Sequence, residues 1–245
     1  MVRRTLWVVA LTACLDAQSV IATHAGLVSY AEQASLDGRA VEISIGRPLV
    51  MNNQSVLRTA AGRAEVLLGP CAAMWMDRNS SVRMIDNDLR GTRVELLIGS
   101  ALVAAGGLPH GSQVTFLLKG AAALIEHRGA YRFNAAPPAL HVVSGKTAVQ
   151  WADQNVTLTA GLWMPLEPPV YVRKSGKHAR DPLEVWGRQR AAILAKASGP
   201  RVVLLENDPP VRPQLEDTRT VPNNPQPGPA PVQIPVPPGC GVTAW

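Results

Sequence analysis

A chain of 245 residues has room for one large domain or two small ones, and its 47% apolar content, chiefly Ala, Val and Leu, can fill a core. Only 4% of residues are aromatic, so the expected core is one of small aliphatic side chains and not of ring stacks. The net charge of +6 is modest and unevenly placed. With no zinc finger, helix-turn-helix pattern or aromatic–basic interleaving beside it, this charge argues against nucleic acid as a partner.

Met1-Val-Arg-Arg is a basic start to the apolar run Leu6–Cys14, about nine residues where a membrane-spanning helix needs ~20. Asp16, Gln18 and His24 interrupt any longer reading. With the small-residue exit at Thr23-His24-Ala25, the segment 1–25 reads as a signal peptide, cut after Ala25 or earlier after Ala17. Leu11-Thr12-Ala13-Cys14 also resembles the lipobox of bacterial lipoproteins, so lipidation at Cys14 is the alternative. If the leader leaves, Cys71 and Cys240 remain, either bridged or as two thiols; with no CxxC, neither a redox couple nor structural zinc is indicated.

From Gly26 to Val172 nearly every stretch reads as short strands. Leu27–Tyr30, Ala40–Ile45 and Arg93–Leu96 alternate apolar and polar residues, the period of half-buried strands. One device recurs between Thr59 and Val103, an apolar strand, a glycine turn and an apolar strand. It returns over 114–124, 140–149 and 156–166, with glycine at 120, 145 and 161. Leu36-Asp37-Gly38-Arg39 and Ser144-Gly145 look like tight hairpin turns. The downstream glycines are about sixteen to twenty-five residues apart, looser than a true solenoid. The expected fold is all-β, a twisted β-roll, β-helix-like stack or irregular sandwich of short strands.

The pattern changes after Val172. Residues 173–196 carry seven basic side chains, among them Arg173, Lys174, Lys177 and Arg180, against Asp181 and Glu184. The cluster is either a solvated face or a contact for an acidic polymer or anionic membrane surface. Asp181 is a good N-cap, Pro182 suits the first helical position, and Gly199-Pro200 ends the helix. Leu183, Trp186, Ile193 and Leu194 fall on one side, so an amphipathic helix within 173–199 is expected to dock on the β domain. Residues 200–245 are proline-rich and poor in apolar side chains, which reads as a disordered or polyproline II tail.

Catalytic and metal-binding patterns are sparse in this chain. Gly145-Lys146-Thr147 lacks the first glycine of a phosphate loop, where Leu140 stands. Histidines 24, 110, 127, 141 and 178 form no close pair. Asp86-Asn87-Asp88 alternates oxygen side chains, but Leu97 occupies the place of the distal glutamate of a calcium loop. No GxSxG elbow exists, and Asn53, Asn79 and Asn155 head chance glycosylation sequons. The expectation is no catalytic residue, no metal and no cofactor.

Residues Val56–Pro70, Asn79–Ile85 and Thr92–Ala101 resemble the FecR domain, well over Leu49–Val103 and more weakly to Leu166. Cys71 and Met74 depart mildly from that family's usual glycine and leucine. The resemblance implies an extracytoplasmic all-β module. FecR regulators also carry a cytoplasmic arm for a sigma factor, and only Met1–Arg4 precede the apolar run here. The resulting expectation is a non-enzymatic exported protein of the periplasm or cell envelope that binds or scaffolds, with an envelope protein or polysaccharide as ligand. The alternative is an extracytoplasmic signalling component related to FecR-type sigma-factor regulators.

Overall fold

The structure is a computed structural model that describes residues 24–43, 49–168, 171–174 and 181–197. Residues 1–23 of the expected leader, with Cys14, the stretch with Lys177 and Arg180, and the proline-rich tail lie outside the described residues.

In chain order the strands are β1 (Leu27–Ala31), β2 (Ala34–Leu36), β3 (Arg39–Ala40), β4 (Leu49–Val50), β5 (Val56–Thr59) and β6 (Ala64–Gly69). Then come β7 (Ala72–Met76), β8 (Ser81–Asp86), β9 (Gly91–Ile98), β10 (Ser100–Ala105), β11 (Gln113–Leu118) and β12 (Ala121–Ile125). β13 (Gly129–Ala135), β14 (Pro138–Ser144), β15 (Lys146–Trp151), β16 (Gln154–Thr159), β17 (Leu162–Pro165) and β18 (Arg173–Lys174) follow, and α1 (Pro182–Ala197) closes the described chain. They form two sheets of nine strands. Sheet A runs β18-β17-β14-β13-β10-β7-β6-β1-β4, and sheet B runs β16-β15-β12-β11-β9-β8-β5-β2-β3. Strand pairs are antiparallel except where β11 joins β9 in parallel. The fold is therefore all-β with one helix, as the residue pattern implies.

The glycine turns do two different jobs. Two-residue turns at Asp37-Gly38, Lys119-Gly120 and Ala152-Asp153 close hairpins within a sheet, each with its first residue at positive φ. Single glycines instead turn the chain from one sheet to the other. Gly99 (φ +78°) lies between β9 in sheet B and β10 in sheet A, and Gly145 (φ +79°) between β14 in sheet A and β15 in sheet B. Ser144-Gly145 is thus a corner and not the expected hairpin. A Cβ at Gly145 would run into the Arg128 carbonyl, so close approach of backbone as well as φ demands glycine there. Of the expected strand Ala40–Ile45, only residues 40–43 are described. Only Arg39–Ala40 pairs, and Val41–Ile43 continue without a ladder.

The core lies between the sheets and comprises mainly Val, Leu, Met and Ala, including Val66, Met74, Met84, Val94, Val103 and Leu140. It does contain one ring stack: Phe116 of sheet B and Phe133 of sheet A lie 4.0 Å apart at 27°. These are the chain's two phenylalanines, so scarcity of aromatics did not prevent their meeting. Tyr131 also sits in this core, and its hydroxyl donates to the Lys146 carbonyl of sheet B at 2.8 Å. Burial pushes this phenol up to about 12.

Three strands of sheet A, β7, β10 and β13, break the usual alternation. Ala72-Ala-Met-Trp-Met in β7 is buried at every position, and Ala101–Ala105 in β10 likewise. A strand buried on both faces has no polar side to present. The cover on the second face is α1, which packs across β7 and β10.

Candidate binding surface

Register carries one row of side chains across the outer face of sheet A. Tyr30 pairs with Glu65, Glu65 with Trp75, Trp75 with Leu102, and Leu102 with Arg132. Arg132 pairs with His141, His141 with Trp163, and Trp163 with Arg173. Facing residues on adjacent strands are within contact distance, so the row is physically continuous.

The helix closes the first half of this row. Beside it, Ala73, Ala104 and Ala130 form a trough of small residues in which Leu183 and Ala191 are buried, with Leu67, Val143, Trp186 and Leu194 around them. Gly187 passes over the row itself so closely that a Cβ there would lie 2.7 Å from Leu102 Cδ2 and 3.3 Å from Trp75 Cε3. Ile193, expected on the docking side, is 53% exposed; Gly187, Arg190 and Ala191 take the inner positions.

Two arginine–carboxylate pairs fix the helix, and they run in opposite directions. Arg190 of α1 reaches Glu65 of the sheet with Nε to Oε2 at 3.0 Å and Nη2 to Oε1 at 2.9 Å. Glu65 is completely buried and also accepts from Ser29 Oγ (2.7 Å) and Trp75 Nε1 (2.8 Å). At the helix start, Arg132 of the sheet donates Nε to Asp181 Oδ2 at 2.8 Å, while Asp181 Oδ1 accepts from Leu183 N at 2.7 Å. Burial works to raise the Asp181 carboxyl, but the Arg132 charge and hydrogen bond, with amides of Leu183 and Glu184, hold it below its ordinary value. Aromatic contacts complete the seam. Arg190 lies over Tyr30 at 4.6 Å, Arg63 over Trp186 at 5.3 Å, and Tyr30 meets Trp186 edge-on at 5.7 Å.

Beyond Arg132 the row leaves the helix. Trp163 is half-buried, Arg173 is exposed and Tyr171 is 46% exposed. The Arg173 guanidinium lies over both rings, with Cζ 4.1 Å from the Trp163 centroid and 5.8 Å from that of Tyr171. The two rings are 6.1 Å apart and tilted by 55°. Lys174, adjacent in sequence, pairs with Leu162 and points to the opposite face, as strand alternation requires. Among the sequence-derived contact residues, Arg173 and Lys174 therefore do not share one patch. The partners that give Arg173 its shape, Trp163 and Tyr171, were not singled out from sequence. An apolar ring two residues before an arginine at the end of a strand was the available signal.

Other sequence candidates have structural employment. Asp86 and Asp88 accept the amides of Asp88 (3.1 Å) and Arg90 (2.8 Å), which makes the β8–β9 connection a tied polar turn. Cys71, 6% exposed at the β6–β7 turn, is disulfide-bonded.

No family model matches the chain, and no curated protein matches it. The solved structures similar to it include two described as candidate anti-sigma factors from Parabacteroides distasonis ATCC 8503. One, at 2.50 Å resolution, is 11% identical with a TM-score of 0.43 over 58% of this chain and 72% of that one. The other, at 1.65 Å, is 11% identical with a TM-score of 0.42 over 56% of this chain and 63% of that one.

Proposed function

We propose that the chain is a regulatory component of the FecR-like kind, which catalyses nothing and works by binding a ligand outside the cytoplasm through the outer face of sheet A. The observation that carries this reading is the division of one continuous row. Its Tyr30–Arg132 half is sealed under α1, while its Trp163–Arg173 half presents to solvent a cation seated against Trp163 with Tyr171 beside it. The regulatory part rests on the FecR resemblance of Leu49–Val103, which spans β4 to β10 and so the strands that carry the helix. Export is supported by the leader-like residues 1–25 and by the disulfide at Cys71, since such bonds persist in oxidising compartments.

The test is transcriptional. Deleting the gene in its host changes a defined set of transcripts, and the wild-type chain restores them while an Arg173→Ala chain does not. Unchanged transcripts in the deletion strain overturn the regulatory reading.

A further inference from the structure

We infer that Trp163, Tyr171 and Arg173 form a binding site for a uronic-acid-containing oligosaccharide, an inference that rests on the outer face of sheet A being the recognition surface. Four arginines of the fold are answered by acidic side chains. Arg63, Arg83, Arg132 and Arg190 each pair with a carboxylate, respectively Asp77, Glu95, Asp181 and Glu65. Among the described residues no carboxylate lies within salt-bridge distance of Arg173, which is held by ring faces instead. Contact with the Trp163 ring face at 4.1 Å uses the cation's charge without using up its N–H donors, which no carboxylate among the described residues takes. The guanidinium fork matches a planar carboxylate with two parallel hydrogen bonds.

The ligand must also meet apolar surface. Tyr171 is 46% exposed beside the guanidinium, and Trp163 continues the row toward the half-buried His141. A pyranose ring offers a C–H face to stack on an aromatic side chain, and a uronic acid carries its carboxylate on that same ring. One residue of such a polymer therefore engages the fork and the ring at once. A membrane surface is a poorer match. Anionic lipid attracts clusters of cations that act together on one face, whereas Arg173 and Lys174 point to opposite sides of β18.

Calorimetric titration of the full chain with tetragalacturonate tests the site. Wild type is expected to bind saturably, and the neutral methyl ester to bind at least roughly tenfold more weakly, because a hydrogen bond to a charged group is worth about that factor or more. Arg173→Ala and Arg173→Lys are both expected to lose roughly tenfold or more, since lysine restores charge but not the planar fork. Lys174→Ala is expected to bind as wild type does. Thermal melting of Arg173→Lys, an exposed and conservative change, secures the comparison if the alanine variant folds poorly. Absence of saturable binding by wild type, equal binding of the ester, or full affinity in Arg173→Lys overturns the inference. So does binding to phosphatidylglycerol vesicles, lost in Arg173→Ala, without binding to the glycan. A failed titration leaves the regulatory reading standing, because transcripts report that separately.

Discussion

The outer face of sheet A holds Glu65, Trp75 and Arg132 as buried side chains, while the matching face of sheet B holds Arg83 and Glu95 with side chains 40% and 32% exposed. Both faces are crossed by one continuous register. In sheet B the row runs Val56, Arg83, Glu95, Leu117, Ala122, Gln150 and Asn155. Ladder geometry is shared; the difference lies in the cover. Under α1 a charged group must be answered in full, and Glu65 has four donor contacts from three side chains. In the open, water does that work, and the Arg83–Glu95 contact is a single one at 3.4 Å. Two ion pairs that look alike on paper thus mean different things for stability.

The sharpest way to break this comparison is to truncate one arginine on each sheet. Arg190→Ala leaves the Glu65 carboxylate buried with only Ser29 and Trp75 to answer it, and is expected to cost about 3 kcal/mol or more. Arg83→Ala removes a solvent-screened partner and is expected to cost less than about 1 kcal/mol. Urea unfolding of both variants measures the two losses. Equal costs would mean that the helix does not seal the face as its burial indicates.

The next effect concerns the other end of the helix. Asp181→Ala removes both the N-cap acceptor and the partner of Arg132, at an expected cost of about 1–2 kcal/mol near neutral pH. The Asp181 carboxyl is held below its ordinary value in the folded chain, so its contribution is complete above the unfolded pKa of about 4. It is lost as pH falls from there through the lower folded value. The stability gap between wild type and Asp181→Ala should therefore narrow as pH drops below about 4. A gap that stays constant or widens on acidification would remove Asp181 from the set of groups that tie the helix down.

How much of this was legible follows from which signals are local. Strand alternation in β9 and the N-cap at Asp181 are properties of short windows, and both are where the residues imply. The helix spans Pro182–Ala197 with Gly199-Pro200 just beyond. Whether a glycine closes a hairpin or turns a corner is not local. Gly120 and Gly145 have nearly the same φ, +80° and +79°, yet one joins strands of a single sheet and the other joins strands of different sheets. The all-apolar sequence of β7 suits a strand covered on both faces, but nothing in it names the cover. Glu65 was hidden for a related reason. In Ala64-Glu-Val-Leu-Leu it reads as the polar member of an alternating strand, and only the docked helix makes it a buried charge.

The helix itself gives the smallest expected effect and the finest form of the comparison. At 100° per residue, Ile193 lies about 80° to one side of Leu183, and Ala191 about 80° to the other. Spacing alone treats the two as equals, and apolar size favours the isoleucine as the core residue. The structure chooses the alanine, 1% exposed against 53% for Ile193. The reason is the floor beneath. Ala73, Ala104 and Ala130 form a shallow trough, and the Gly187 approach brings the helix backbone down so that only a small side chain fits on that flank. Ile193→Ser should then change stability by no more than about 0.5 kcal/mol, as for an ordinary surface site. Ala191→Leu should cost about 1–3 kcal/mol by overfilling the trough. Thermal or urea unfolding of the pair decides it. A costly Ile193→Ser beside a neutral Ala191→Leu would rotate the helix on sheet A and take Arg190 away from Glu65.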